Sequence, residues 1–209
     1  MKTNDQPKLK IDWATYDATV FACKNWHYSH SVPAGKLVKV GVWEHGIFKG
    51  VVIFSRGANK SIGSPYKMTQ TQVCELTRVA LTKHETPVTQ IISIALKFLK
   101  RFCPDLKLVV SYADMDQGHT GGIYKAGNWI YEGLFNQGCM GGFIVFSKKY
   151  HPKSIHSKYG YGAQSLKFLT KIDPNAKKFF TKGKHKYLYV LDDTIKADIM
   201  KRSKPYPQK

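Results

Sequence analysis

The run Ser111-Tyr112-Ala113-Asp114 closes an apolar stretch with a carboxylate, and a carboxylate in that position can do chemistry. Burial would raise the pKa of Asp114 toward that of a general base, or the group could ligate a cation; an Asp there can equally cap the turn that follows. Gly118-His119-Thr120-Gly121-Gly122 comes next. Its three glycines, Gly118, Gly121 and Gly122, would leave backbone amides open to a phosphate or carboxylate of a cofactor at a helix start. His27-Tyr28-Ser29-His30 sets two imidazoles three residues apart. On one helical turn they would face the same way and, with a carboxylate from elsewhere, make a two-His-one-carboxylate metal site; the alternative is a pair of surface histidines at a helix end. Arg78, inside Cys-Glu-Leu-Thr-Arg-Val-Ala-Leu, cannot shed its charge on burial. It must meet an anion, either an internal carboxylate such as Glu75 or Asp114 or a substrate.

These residues need elements to hold them. Residues 12–25 place Trp13, Tyr16, Val20 and Phe21 at helical spacing and predict a first helix. Residues 36–44 and 47–55 are rich in Val, Ile and Phe, and His45-Gly46 between them reads as a tight hairpin turn with positive φ at Gly46. A loop over 56–70 and a third strand over 73–81 follow. Thr86-Pro87 reads as an N-cap followed by Pro at the first helical position of a long helix carrying Val88, Ile91, Ile92, Ala95, Leu99 and Phe102, stopped at Cys103-Pro104. Residues 106–113 form a strand covered on both faces. A short helix over 118–127 and strands over 129–134, 142–147 and 186–191, the last at a sheet edge, complete a mixed α/β architecture that opens with an antiparallel meander. In open α/β sheets ligands sit beyond the carboxyl ends of parallel strands, which directs attention to Ser111 and Asp114.

Composition narrows the function. The 209 residues include 33 Lys+Arg and 14 Asp+Glu, a net charge of +19, with 43% hydrophobic and 13% aromatic residues. That apolar content excludes a disordered polycation, and a chain of this length buries about 70% of its unfolded surface. The longest nearly unbroken apolar stretch, 91–96, which contains Ser93, is far shorter than a membrane span, and the polar N-terminus has no secretory core, so the chain is expected to work in the cytoplasm. Charge is uneven: residues 147–209 hold 16 basic and 4 acidic residues against 17 and 10 over 1–146. Lys148, Lys149, Lys153, Lys158, Lys182, Lys184 and Lys186 are interleaved with aromatics, which suits nucleic-acid binding. Only four of the 33 basic residues are Arg, so contact with the phosphate backbone is expected rather than reading of guanine edges. Cys23, Cys74, Cys103 and Cys139 have no metal or redox spacing and read as reduced, mostly buried thiols.

The ordered set Asn-Trp-His-Tyr-Ser-His-Ser-Val-Pro, Cys-Glu-Leu-Thr-Arg-Val-Ala-Leu, Val-Val-Ser-Tyr-Ala-Asp and Gly-His-Thr-Gly-Gly-Ile-Tyr-Lys-Ala-Gly-Asn-Trp resembles the Mom DNA-modification proteins of the phage Mu type over roughly residues 20 to 135. The resemblance implies a GNAT-like acyltransferase fold with two central strands splayed around a cofactor cleft. It implies transfer of a methylcarbamoyl (acetamido-type) group to the exocyclic amine of adenine in phage DNA, which shields that DNA from host restriction. By the same resemblance His27, Tyr28, Arg78, Ser111, Asp114 and Tyr124 stand in the pocket, with iron as an associated metal at His27. Aromatics near the cleft, Tyr28, Tyr66 or Trp129, could stack on an extruded adenine. Residues 1–146 would form the catalytic core and 147–209 a basic part completing the same domain and contacting double-stranded DNA. Residues 82–88 carry none of the glycines with which GNAT enzymes cradle the coenzyme A pyrophosphate, so ordinary acetyl-CoA use is not expected. The competing readings are a CoA-dependent N-acetyltransferase of a protein or small amine, and a non-enzymatic basic nucleic-acid-binding protein.

Overall fold

The structure is a computed structural model that describes residues 8–57 and 60–208, apart from the side chain of Lys153. In chain order the elements are β1 (Leu9–Trp13), α1 (Tyr16–Trp26), β2 (Leu37–Glu44), β3 (Ile47–Ser55), β4 (Val73–Leu81), α2 (Val88–Phe102), β5 (Leu108–Asp114), α3 (Gly122–Ala126), β6 (Ile130–Phe135), β7 (Met140–Val145), β8 (Lys148–Tyr150), α4 (Pro152–Tyr159), α5 (Leu166–Leu169), β9 (Lys177–Phe180), β10 (Lys184–Val190) and α6 (Lys196–Met200). The larger sheet has the order β1-β2-β3-β4-β5-β10-β6 and the smaller one β8-β7-β9. The chain forms two compact units, one of Met1–Tyr112, Gly121–Gly133 and Lys186–Lys209, the other of Ala113–Thr120 and Leu134–His185.

In the first unit β1 to β4 are an antiparallel meander whose β2–β3 turn has φ of 49° at His45 and 77° at Gly46. Both signs fit the primed hairpin turn that matches the twist of its strands. Helix α2 buries Ile91, Ile92, Ala95, Leu96 and Leu99 along one stripe, and Lys100 and Arg101 lie in its last turn, where they complement the dipole. Val73, Leu108, Val110, Leu188 and Ile199 make one core cluster; Ala22, Cys23, Val51, Ile53 and Ala80 make another. The four cysteines are free; Cys23 and Cys74 are buried, whereas Cys139 is exposed.

Three expectations change. The start of the first predicted helix is instead β1, whose Lys10 and Asp12 pair with each other on a sheet edge, and α1 begins at Tyr16 behind a Thr15 cap. Strand β10 is not an edge but lies between β5 and β6. The helix expected over 118–127 shrinks to α3, because Gly118 and Gly121 both take positive φ and break the helical course.

The second unit has its own core of Phe143, Val145, Ile155, Ala163 and Leu169. Its small sheet and its helices α4 and α5 come from a segment where lysines and aromatics obscure both periodicities.

Candidate active site at parting strands

The site begins where two parallel strands stop pairing. β4 and β5 are in register from Val73↔Leu108 to Leu76↔Ser111, and no pair follows although β4 continues to Leu81 and β5 to Asp114. Ser111 sits at the parting point, fully buried, with Oγ 2.9 Å from the Leu76 carbonyl and 2.7 Å from the Tyr124 hydroxyl. A serine hydroxyl has one proton and the carbonyl only accepts, so Ser111 donates to Leu76 and the Tyr124 phenol donates to Ser111. Tyr124 is held by Tyr187, stacked at 4.8 Å, and by Trp129 edge-on at 5.0 Å. Burial pushes the Tyr124 phenol up to about 12, with the charges of Tyr28 and Glu75 adding to the rise, so the group is a proton donor at neutral pH. Immediately after Leu76 in β4 the register with β3 skips a residue at Thr77, a bulge that re-aims the side chains beside it.

Arg78 follows that bulge. Its Nη1 donates to the Thr77 carbonyl at 2.8 Å and its Nε to the Ser31 carbonyl at 3.5 Å, and among the described residues it makes no ion pair with a carboxylate. Its remaining donors are therefore open to an anion from outside the chain. Tyr28 is half exposed and its ring lies 4.2 Å from that of His27. Ser111, Tyr124, Tyr28 and Arg78 thus all belong to the first unit, and Glu75, expected only as a partner for Arg78, joins them through its influence on Tyr124.

The metal expectation is corrected. His27 is the residue that ends α1, with extended backbone, and His30 has φ of 48°, so the two imidazoles are not on one helical turn. His27 Nδ1 is 2.8 Å from Ser29 Oγ and His30 Nδ1 2.7 Å from the Lys24 carbonyl. Among the described residues no group of three or more His, Cys, Asp or Glu could hold an ion, so the residues present do not fit iron. The three glycines of the run differ in their settings, and a Cβ on Gly118 or Gly122 would meet nothing within 4 Å. Gly118 closes a 3-10 turn in the second unit, and a Cβ on Gly121 would lie 2.3 Å from the Tyr187 hydroxyl. Gly121 is glycine so that Tyr187 can pack on the backbone, and with Gly122 it opens a helix of only five residues, too short to present a strong dipole.

Asp114 lies in the second unit and its carboxylate is engaged: Oδ1 accepts from the Asp116 N–H at 3.0 Å and Oδ2 pairs with Lys184 at 3.0 Å. That is the turn-capping alternative together with an ion pair. Lys148, Lys149, Lys158 and Lys182 are exposed, with Lys149 over the Phe179 ring and Lys158 Nζ 2.6 Å from the Tyr150 hydroxyl. Lys153 lies outside the described side chains. Lys186, expected on the nucleic-acid face, is buried because β10 is interior: its ammonium lies 3.0 Å from Glu132, itself buried, which also accepts from Tyr66 and Arg202. Burial pushes Glu132 up, but the Tyr66 and Lys186 hydrogen bonds outweigh it and hold the carboxyl below its usual range. Tyr66 and Trp129, expected to be available for stacking, are buried at 8% and 1% exposure.

Two features were missed from sequence. Glu44, at the end of β2 and 1% exposed, accepts from the backbone N–H of Glu85 at 2.9 Å and of Thr86 at 2.7 Å, in the loop joining β4 to α2. Burial alone would raise its carboxyl, yet the Thr86 side chain and these two amides, with His84, lower it to about 2. The amides that precede α2 are therefore filled by an internal anion, and Thr86 serves Glu44 rather than capping the helix. The second is a groove of about 290 Å³ lined by Thr89, Gln90 and Ser93 of α2, by Asn128 and Trp129 after α3, and by Tyr189. No charged side chain lines it, and the Gln90 and Asn128 amides make no side-chain hydrogen bond among the described residues.

A mixed sheet with two parallel central strands that part beside a helix is the architecture of the GNAT acyltransferases, and solved structures agree. The structure of yncA from Salmonella typhimurium, determined with its cofactor acetyl-CoA, is similar over 90% of this chain and 96% of its own, at 10% identity and TM-score 0.50. RimL, a ribosomal L7/L12 alpha-N-protein acetyltransferase in complex with coenzyme A, is similar over 90% and 98%, at 10% identity and TM-score 0.50. A search of curated proteins gave no match. The chain belongs to the Mom protein family, whose model matches residues 8–208.

Proposed function

We propose that the chain modifies DNA, transferring a methylcarbamoyl (acetamido-type) group to the exocyclic amine of adenine in double-stranded phage DNA within the bacterial cytoplasm, and so protects that DNA from host restriction. The observation that carries this reading is the hydrogen-bonded Ser111–Tyr124 pair at the parting of β4 and β5 in a chain of the Mom family. The amine of adenine is a poor nucleophile, since its lone pair is delocalised into the ring, and it is buried in the duplex, so the base must leave the stack. The uncharged groove suits a neutral heteroaromatic ring, and primary amides such as Gln90 and Asn128 match the donor-acceptor edge of adenine.

In this mechanism the amine nitrogen attacks the acyl carbon while the Tyr124 phenol turns its proton from Ser111 to the acyl oxygen. Stabilising the developing oxyanion is the step where one such donor is worth about 10²–10³ in rate. Arg78 holds negative charge on the donor, and the amine proton passes to Glu75 rather than to Asp114, whose carboxylate is engaged by Lys184. The leaving group departs with the electron pair of the broken acyl bond.

A CoA-dependent N-acetyltransferase is disfavoured because Glu44 occupies the amides ahead of α2. Mass spectrometry of nucleosides from the DNA of cells expressing the chain tests the proposal: a modified deoxyadenosine is expected, and unmodified DNA beside folded protein would refute it.

A further inference from the structure

We propose that Tyr161 is a duplex-opening wedge, a ring that enters the base stack of double-stranded DNA and fills the gap left by an extruded adenine. The inference rests on the reading that the target amine lies within duplex DNA. Tyr161 is 95% exposed, whereas the next most exposed aromatic residues, Tyr16 and Phe180, reach 62% and 61%. It is not carried on a loose segment. Gly160 and Gly162 on either side take φ of 82° and 87°, a course that an L side chain resists, and the turn is pinned by its own backbone. Gly160 N–H donates to the His156 carbonyl at 2.9 Å, Ser165 N–H to the Gly162 carbonyl at 3.0 Å, and Ala163, two residues after the ring, is fully buried in the core of the second unit. The His156 ring stands edge-on to Tyr161 at 6.3 Å and supports one side.

The chemistry around the ring identifies the partner. Residues 148–171 contain six lysines and no carboxylate. Over Leu134–His185 the sole carboxylate is Asp173, which is buried and accepts from the Phe146 and Asn175 backbone amides, so it neutralises none of them. Among the lysines of this unit whose side chains are described, only Lys184 is in an ion pair. An isolated exposed aromatic is ordinary, but one held out on a pinned turn, in a segment whose lysines have no carboxylate partner, has the composition of a surface that grips phosphates and inserts a ring between bases.

The test uses the full chain, the wild type beside Tyr161→Ala and Tyr161→Trp, with helical content checked by circular dichroism. The probes are a fully paired duplex carrying 2-aminopurine at adenine positions and the same duplex with an abasic site, a ready-made gap. The wild type and Tyr161→Trp are expected to raise 2-aminopurine fluorescence and to bind the gapped duplex more tightly than the paired one. Tyr161→Ala is expected to lose that preference, by about 5- to 150-fold, the effect of removing one base-aromatic stack, with its salt slope on paired DNA unchanged. Equal fluorescence from Tyr161→Ala and wild type would overturn the wedge while leaving base extrusion standing. Binding without any fluorescence change from the wild type would overturn base extrusion itself.

Discussion

Charge is handled in opposite ways in the two units. In the first, the buried ammonium of Lys186 meets Glu132, which also takes Arg202 and Tyr66, and Glu44 is saturated by the Glu85 and Thr86 amides. In the second, the few carboxylates are spent on backbone, hydroxyl or Lys184 contacts, and the other lysines whose side chains are described have no acidic partner within ion-pair distance. A buried charge without a partner costs several kcal/mol, so the first arrangement is what folding demands. Exposed, unpaired lysines gain little from folding, and their value lies in meeting an external polyanion. Lysine count alone conflates the two; Lys186 and Lys182 are four residues apart and do different work.

That contrast can be broken by substitution. Lys186→Met should cost about 3 kcal/mol in chemical denaturation, because buried Glu132 then keeps only the partly exposed Arg202 as a cationic partner. A loss of DNA affinity with unchanged stability would place Lys186 on the binding face after all. Glu44→Gln should cost about 1–3 kcal/mol, because a neutral amide serves the Glu85 and Thr86 N–H groups less well than a carboxylate. The pH dependence of that loss has a defined sign. Glu44 has its folded pKa lowered from 4.5 to about 2, so its stabilisation is present above the ordinary value and fades as pH falls through that interval. Wild type should lose stability on acidification there, and Glu44→Gln should show a shallower acid limb; parallel limbs would mean that Glu44 is not the group titrating. The smallest effects belong to the exposed cations. Replacing Lys148, Lys149 and Lys158 together should leave denaturation nearly unchanged and flatten the salt dependence of duplex binding by roughly 0.9 in slope for each phosphate no longer neutralised. An unchanged slope would remove these lysines from the interface.

The readable part of the fold is the part whose information is local. The β2–β3 hairpin was legible from two apolar runs around His45-Gly46, and α2 from the repeat of Ile91, Ala95 and Leu99. β1 was not, because its Lys10 and Asp12 break the alternation and its apolar residues run on at helical spacing into α1. The interior position of β10 was hidden for an electrostatic reason. Lys186 looks solvated until Glu132, far away in sequence, is seen to neutralise it. Ser111 and Arg78 could be named as site candidates from the residues and Tyr28 and Tyr124 only through the family resemblance, whereas the pairing of Ser111 with Tyr124 depends on where β4 and β5 separate, which no local pattern encodes. Glu44 was illegible for the same reason: its partners lie 41 and 42 residues further along the chain.

In the proposed mechanism the chemistry happens at the parting of β4 and β5, and Asp114 plays a structural part. The yield of modified deoxyadenosine in DNA from cells expressing Tyr124→Phe, measured beside Asp114→Asn and wild type at equal protein level, tests this most directly. A fall of about 100-fold or more is expected for Tyr124→Phe, with Asp114→Asn retaining most of the wild-type yield. The reverse order, with Tyr124→Phe near wild type and Asp114→Asn inactive, would contradict it.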